Sequence, residues 1–542
     1  MTSTRVALPE VKSKVPHKYR LRTGTANSAI WQGFAGSVLL LLGSLGVGWM
    51  AGSSVLIRNP IFIVARTTTA SSIISTVLLC VGAALLLRAW LRLRQHLDGW
   101  GEETAPVLKK ALYLWVAPMM LTLPLFSRDS YAYIGQGRLM QEGLNPYTDG
   151  ISSLNNYFVL GPDTLWTEAP TPYGPVWLWL ELLAVSIPAA SPEISLIPFR
   201  LACLAGIVLL AVYVPKLAGR HGFNPHRTLW LTVLNPVVLI NFVASVHNDS
   251  LMLGLVVAGL YFASTHRPIR AILLVTASIA IKPITLIALP FVGLLWAGAR
   301  AGWLRKFGLW AATLAISMAV MAAMGFLNGL GFGWIGALQT PGAVWIWYAP
   351  VGLFSNALGW VVTLFGGAGA GAAVTDIIQT VCQLVSIVLV MALALLPVKL
   401  PATSGAASAK ANAGTAPALD GAGAYSQAVI RRMAWSFAAI VLLSAVIQPW
   451  YMLWLLAFFG MTGITEGRQT QVVYFLTGFF TLIALTDQLS VFPWISMGII
   501  RTVAIVAGVL CVAYVLLWDQ RTGSLLLLPA WQRRGRKAPA NA

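Results

Sequence analysis

Acidic side chains are scarce in this chain. There are 17 Asp and Glu in 542 residues against 36 Lys and Arg, and charged residues of both signs make up only 10%. Soluble globular proteins carry about 25%, and no stretch here is polar enough for long enough to build a large soluble domain. Cysteine is rarer still. Cys80, Cys203, Cys382 and Cys511 each stand alone in an apolar run, with no CxxC spacing and no nearby histidine. That excludes a disulfide framework and a thiolate metal site, and leaves them as small core residues.

What the chain has instead is apolar length. Hydrophobic residues make up 58%, and segments of about 20 mostly apolar residues, enough to cross a bilayer, follow one another almost end to end. This predicts an all-α polytopic membrane protein embedded in membrane lipids. The formal charge of +19 does not point to nucleic acid, because the basic residues sit in short clusters flanking apolar segments, where they set orientation. The basic N-terminal tail (Arg5, Lys12, Lys14, Lys18, Arg20, Arg22) and C-terminal tail (Arg533, Arg534, Arg536, Lys537) place both termini in the cytoplasm of a plasma-membrane protein. The number of crossings is then even. The first apolar segment lacks a small-residue cleavage site and is expected to be retained.

Taken in order, residues 1–28 read as a disordered cytoplasmic tail and 29–400 as a transmembrane module. An Ala/Gly/Ser-rich linker covers 401–430, a second module 431–520 and a basic tail 521–542. Crossings are expected at 30–50, 68–91, 107–126, 196–218, 228–246, 250–265, 307–327, 376–397, 434–448, 450–464, 472–486 and 494–517. Residues 271–298 are expected to form two short helices broken at Lys282-Pro283, giving about fourteen in all. Val176–Ile187, bounded by Pro175 and Pro188, reads as a juxtamembrane or re-entrant helix, and 351–366 as another surface helix. This topology leaves Arg58 and Arg66 outside, against the charge rule.

The stretch Leu125–Tyr147, LFSRDSYAYIGQGRLMQEGLNPY, is where membrane-type sequence gives way to a polar, aromatic segment. Asp129 arrives two residues after the apolar run closes, which puts its carboxylate at the outer membrane surface. It opens the outer loop 127–173, which holds Tyr131, Arg138, Glu168 and Tyr173. The same face is expected to collect His247 and Asp249 of His-Asn-Asp, Lys282, and Gln448 and Tyr451 from a tip between two back-module helices. Carboxylates, stacking aromatics and cations at a membrane surface suit an amphiphilic substrate with a sugar head group and a lipid phosphate. A lipid-sugar transporter is the rival class, and it would favour inverted repeats and mid-membrane ionisable groups. No internal repeat is evident.

An aspartate after an early membrane helix, a Tyr-rich loop ending Gly-Leu-Asn-Pro-Tyr, a downstream Pro-Tyr-Gly-Pro, then His-Asn-Asp and Lys-Pro together resemble the GT-C superfamily of lipid-linked sugar transferases. More closely they resemble the actinobacterial polyprenol-phosphomannose-dependent alpha-1,6-mannosyltransferases of the MptA/MptB type, nearer the MptB branch, over most of residues 30–520. The resemblance implies a GT-C fold and an extracytoplasmic site. The implied donor is polyprenyl-phosphate-mannose, and the acceptor a mannosylated phosphatidylinositol or an alpha-1,6-mannan of lipomannan and lipoarabinomannan. An arabinofuranosyl or alpha-1,2-mannosyl transferase of the same superfamily is the alternative within the class.

Asp129 would match the first-loop catalytic aspartate and act as general base in an inverting transfer. Asp249 would match the second outer acidic position, orienting sugar hydroxyls or holding the His247 tautomer. Lys282, His247, Arg128 and Arg138 are the candidates for the donor phosphate. Tyr131, Glu168, Tyr173, Gln448 and Tyr451 are expected to contact donor or acceptor. Ser130 follows Asp129 where many of these enzymes have a second acid, which favours a single base over a metal pair. No cofactor is called for, a divalent metal has no predicted ligand set, and no soluble partner is evident.

Overall fold

The structure, a computed structural model, describes residues 23–187, 191–336, 346–398, 421–487, 489–491 and 495–526. Residues 1–22 and 527–542 of the expected tails and most of the expected linker therefore lie outside the described residues, whereas 23–28 open the helix Thr23–Val47 and 521–526 belong to the helix Gln520–Leu526. Residues 421–430, read as the end of that linker, instead begin the helix Gly421–Leu442.

Regular structure among the described residues is helical throughout, and the protein is an all-α polytopic membrane protein of the expected class. Among the described residues seven helices are long and apolar enough to cross a bilayer: Ala26–Val47, Thr69–His96, Pro192–Arg220, Trp303–Leu327, Pro350–Leu395, Arg468–Thr486 and Met497–Leu517. Counting the bent pair Pro225–Leu231 and Pro236–Ala244, which meet at 59°, gives an eighth. The expected fourteen is higher because several apolar segments fold as shorter pieces. Thr104–Met119 and Asp249–Ser264 have 16 residues each, about 24 Å of helix, against a hydrocarbon core of about 30 Å. The ends of both helices are buried in the protein, which satisfies the condition for backbone to turn without facing lipid.

The predicted break at Lys282 is present, with a helix Pro268–Ile279 followed by a 3₁₀ segment Pro283–Ala288 and a helix Leu289–Ala297. Pro175–Val185 is an 11-residue helix, too short to cross, as its bounding prolines predict. Residues 351–366, expected as a separate helix, lie in the first of two helices within Pro350–Leu395, divided by the non-helical Gly367 at φ 80°.

Arg66, which the expected topology sets against the charge rule, is bound locally. It donates to the carbonyls of Leu45 (3.2 Å) and Gly48 (2.8 Å) and to the Ser490 hydroxyl (3.2 Å). It thus satisfies backbone acceptors left open at the end of the first helix. Farther along, Trp90 and Trp230 stack at 4.8 Å, and each indole N–H donates to the other's carbonyl at 2.8 Å. This reciprocal lock joins Thr69–His96 to the bent pair.

Two close approaches position the site. A Cβ on Gly206 would lie 2.2 Å from the Ser250 carbonyl carbon, so Pro192–Arg220 and Asp249–Ser264 touch backbone to backbone, as small residues allow between membrane helices. Gly174 donates its N–H to the Ile281 carbonyl at 3.0 Å, and a Cβ there would sit 2.6 Å from Ala280. The Tyr173-Gly174-Pro175 turn is thereby pressed against the Lys282 break.

Candidate functional site

The site is built where helices break. After Thr104–Met119 the chain runs irregularly to Asp129, the first residue of Asp129–Gln141. Phe126 takes φ 60° on the way. A second break follows Pro236–Leu239, where a π-turn, Ile240–Ala244, leads through Val246 at φ 62° to His247 and then to the helix opening at Asp249. Positive φ in a β-branched residue is a true outlier. Such strain, like π-turns, persists where surrounding structure enforces it and clusters at functional sites.

The two breaks are tied together. Leu125 donates its N–H to the Ala244 carbonyl at 3.1 Å. The buried guanidinium of Arg200 donates to the carbonyls of Met119 (3.1 Å), Thr122 and Val243 (3.5 Å). These bonds satisfy acceptors freed by both breaks and bring Asp129 to His247. His247 Nε2 lies 3.7 Å from Asp129 Oδ2, while Nδ1 lies 2.9 Å from the Asn241 carbonyl. The imidazole is fully buried and stacks on Trp450, centroids 3.7 Å apart at 28°.

Asp249 is engaged elsewhere. Its oxygens accept from Lys282 Nζ at 3.0 and 2.9 Å, and Oδ1 also accepts from the Trp454 indole at 2.8 Å. The Lys282 ammonium lies over the rings of Tyr451 (5.2 Å) and Trp454 (5.6 Å), both carried by Pro449–Gly463. Asp249 therefore holds Lys282, whereas the backbone of Asn241 fixes the His247 ring, a correction to the expected role of Asp249.

A cavity of about 380 Å³ opens in front of these groups, within the usual range for small-molecule sites. Asp129, Arg128, Tyr173, Lys282, Gln448 and Tyr451 line it, so six of the sequence-predicted residues converge. His247 and Asp249 stand behind that wall. Three others do not reach the cavity. The hydroxyl of buried Tyr131 donates to the Trp49 carbonyl at 2.8 Å. Arg138 pairs with Gln141 one turn on, at 2.7 Å. Glu168 points outward as an exposed side chain between the lining residues Trp166 and Ala169.

Arg128 presents its cation to the cavity from an aromatic shelf, its guanidinium carbon 3.9 Å from the Trp49 ring centre. Burial draws its basicity below the usual arginine value, and Asp163 pushes it back up. Asn145-Pro146-Tyr147 forms a self-braced turn, in which Asn145 accepts from the Tyr147 N–H (2.9 Å) and Asp149 from the Asn145 N–H (2.8 Å).

Sequence reading missed Gln136, the cavity tryptophans Trp49, Trp166 and Trp450, and Arg200. Gln136 lies seven residues after Asp129, two helical turns along the same face, and that spacing was the available signal. Both Gln136 Oε1 and Gln448 Oε1 are buried without a hydrogen-bond partner among the described residues. Arg200 carried another signal, an arginine inside an apolar helix. Among the described residues no group of three or more His, Cys, Asp or Glu is placed to hold a metal ion.

Comparisons with known proteins agree on one family. Residues 30–298 match the model described as the N-terminal domain of alpha-(1->6)-mannopyranosyltransferase, and 422–513 match the MptB C-terminal domain. The chain is 34% identical over 327 residues to alpha-(1->6)-mannopyranosyltransferase A of Mycobacterium tuberculosis, covering 59% of this chain and 63% of that relative. With the protein named "Probable alpha-(1->6)-mannopyranosyltransferase" of Mycolicibacterium smegmatis it shares 30% identity over 458 residues, 78% of this chain and 76% of the other. Alpha-(1->6)-mannopyranosyltransferase B of Corynebacterium glutamicum is 31% identical over 247 residues, 42% of this chain and 39% of that protein. No solved structure matches.

Proposed function

The chain belongs to the alpha-(1->6)-mannopyranosyltransferase family, and from that premise we propose that it moves mannose from polyprenyl-phosphate-mannose to an alpha-1,6-mannan acceptor at the extracytoplasmic membrane face. Asp129 is the general base. The observation that carries this reading is a carboxylate, 21% exposed, at the wall of a cavity that also holds an aromatic-shelved cation and several aromatic faces.

Each part has a chemical task. A mannose 6-hydroxyl beside Asp129 gives up its proton as its oxygen attacks the anomeric carbon of beta-mannosyl phosphate, and polyprenyl phosphate departs. One displacement converts a beta donor into an alpha product. Negative charge gathers on the leaving phosphate, where a fixed cation stabilises the transition state. Arg128 supplies that cation. Lys282 contributes less charge because Asp249 neutralises it, yet an ammonium has three donors and only two are taken. Its third N–H is available to a phosphate oxygen on the cavity side.

Trp49, Trp166, Tyr173 and Tyr451 offer ring faces to sugars. The unpartnered amide oxygens of Gln136 and Gln448 are acceptors of the kind sugar hydroxyls fill. No step of the proposed transfer is routed through a divalent ion, since Ser130 stands beside Asp129 where a metal pair would need a second acid. The match of 422–513 to the MptB C-terminal domain supports the MptB-like branch, and on that branch we read the product as lipomannan backbone.

The test is mannosyl transfer in nanodiscs from polyprenyl-phosphomannose to a synthetic alpha-1,6-dimannoside. Asp129→Asn is expected to cut turnover by about 10² to 10⁴ while donor binding persists. Full activity in that variant would remove Asp129 from the role of base. Transfer from a polyprenyl-phosphate arabinose donor instead would overturn the assignment of mannose.

A further inference from the structure

His247 meets Asp129 with the wrong kind of atom for a resting hydrogen bond. The Asn241 carbonyl, 2.9 Å from Nδ1, can only accept, so Nδ1 carries the ring proton and Nε2 presents a lone pair. That lone pair is buried, has no partner among the described residues, and lies 3.7 Å from an oxygen of Asp129. Two acceptors thus face each other across a gap a hydrogen bond could close.

The ring has little freedom to turn away. Trp450 stacks on it, the Cys203 thiol donates to the His247 carbonyl at 3.2 Å, and the strained Val246 fixes the backbone just before it. Neither nearby charge occupies Nε2: Asp249 is an acceptor that takes its bonds from Lys282 and Trp454, and no Lys282 N–H bonds to the ring nitrogen. An unpaired buried nitrogen is costly, and here the cost disappears once Asp129 carries a proton.

We propose that His247 is a positioning residue that accepts a hydrogen bond from Asp129 only after Asp129 has taken the proton of the acceptor hydroxyl. This deepens the reading above and rests on Asp129 being the base. As the acceptor oxygen bonds to the anomeric carbon, the bond from that carbon to the phosphate oxygen breaks and its electron pair leaves with polyprenyl phosphate. The hydroxyl proton passes to Asp129, which then donates to His247 Nε2. When product leaves, the proton goes to water. Because the contact is weak in the ground state and forms as the proton arrives, it raises kcat and leaves substrate affinity alone.

Two substitutions separate this role from mere packing. In His247→Asn the amide nitrogen keeps a donor near the Nδ1 position and leaves the Nε2 position empty. In His247→Gln the amide oxygen reaches that position as an acceptor. The Asn variant is expected to lose kcat roughly tenfold to hundredfold, the worth of one such bond, with KM for donor and acceptor unchanged, and the Gln variant to recover at least several-fold of that loss. Equal losses in both, or a loss expressed in KM, would overturn the proposal.

A second measurement does not depend on either variant folding. Asp129→Asn places an N–H donor opposite the lone pair, and its melting temperature is expected to exceed that of the wild type. An equal or lower value overturns the proposal. Retained activity in Asp129→Asn defeats the general-base reading itself, whereas an inactive Asp129→Asn beside a fully active His247→Asn defeats only the role of His247.

Discussion

Lys282 and Asp249 hold each other in a buried, two-contact ion pair, 3.0 and 2.9 Å long, across 33 residues of sequence. Removing one member leaves the other charge buried and uncompensated. Lys282→Met or Asp249→Leu alone should each destabilise the protein by about 3–5 kcal/mol, whereas the double variant should recover much of that loss. Thermal unfolding of the four proteins in one detergent checks this double-mutant cycle. Additive losses would show that the pair is not coupled.

Arg128 should report on the donor. Arg128→Gln removes the cavity-facing cation and is expected to raise the donor KM and lower kcat, about tenfold or more in kcat/KM. Trp49→Leu keeps the cation, removes its shelf at 3.9 Å, and should cost less, about 0.5–2 kcal/mol of the same quantity. Initial rates at varied donor and fixed acceptor distinguish these from an effect on acceptor binding.

The two unpartnered glutamine oxygens should act on sugar recognition. Gln136→Met and Gln448→Met are each expected to weaken kcat/KM by about 1–2 kcal/mol, the value of one hydrogen bond to a buried acceptor. A deoxy sugar lacking the bonded hydroxyl should lose no more against the variant than it already has against the wild type. A panel of deoxymannosides run against both variants will show which hydroxyl each oxygen receives.

His221 sets a pH dependence far from the cavity. It directly follows Pro192–Arg220, with Nδ1 2.7 Å from the Met461 carbonyl and Nε2 3.0 Å from the Ser426 hydroxyl. Burial pushes its pKa down to about 4. The unfolded imidazole titrates near 6.5, so on acidification the unfolded chain takes up the proton first. This contribution is complete above about pH 6.5 and is lost as pH falls toward 4, by ~3 kcal/mol in all. Melting curves between pH 7.5 and 4.5 should fall more steeply for the wild type than for His221→Gln.

The residues legible in the sequence were those that interrupt apolar runs. Asp129, His247, Asp249 and Lys282 stand out because a polar side chain at the end of a membrane-type segment is expensive without a task. The breaks themselves were readable from Lys282-Pro283 and from the prolines bounding Pro175–Val185. Partners were not readable. That Asp249 would take Lys282, and that His247 would face Asp129, depends on which helices touch, and composition along one strand of chain does not encode that.

Helix length was not readable for a related reason. A helix of 16 residues that ends inside protein is as apolar as one that spans lipid, so hydropathy cannot separate them. Tyr131 looked like a sugar platform because it is aromatic and two residues from Asp129, yet that spacing turns it toward the Trp49 carbonyl and away from the cavity. Gln136, in phase with Asp129, was the better reading of the same helix.

The π-turn at Ile240–Ala244 sets the rotational phase of everything after it. A π-turn accommodates one residue more than an α-helical turn, and each residue advances a helix by about 100°. With that residue absent, the backbone could run on as ordinary helix and the strain at Val246 could relax. His247 would then swing about a quarter-turn off its bearing on Asp129. The more comfortable backbone is thus the one that cannot assemble the dyad, and the extra residue works as an indexing tooth that keeps two distant breaks in step.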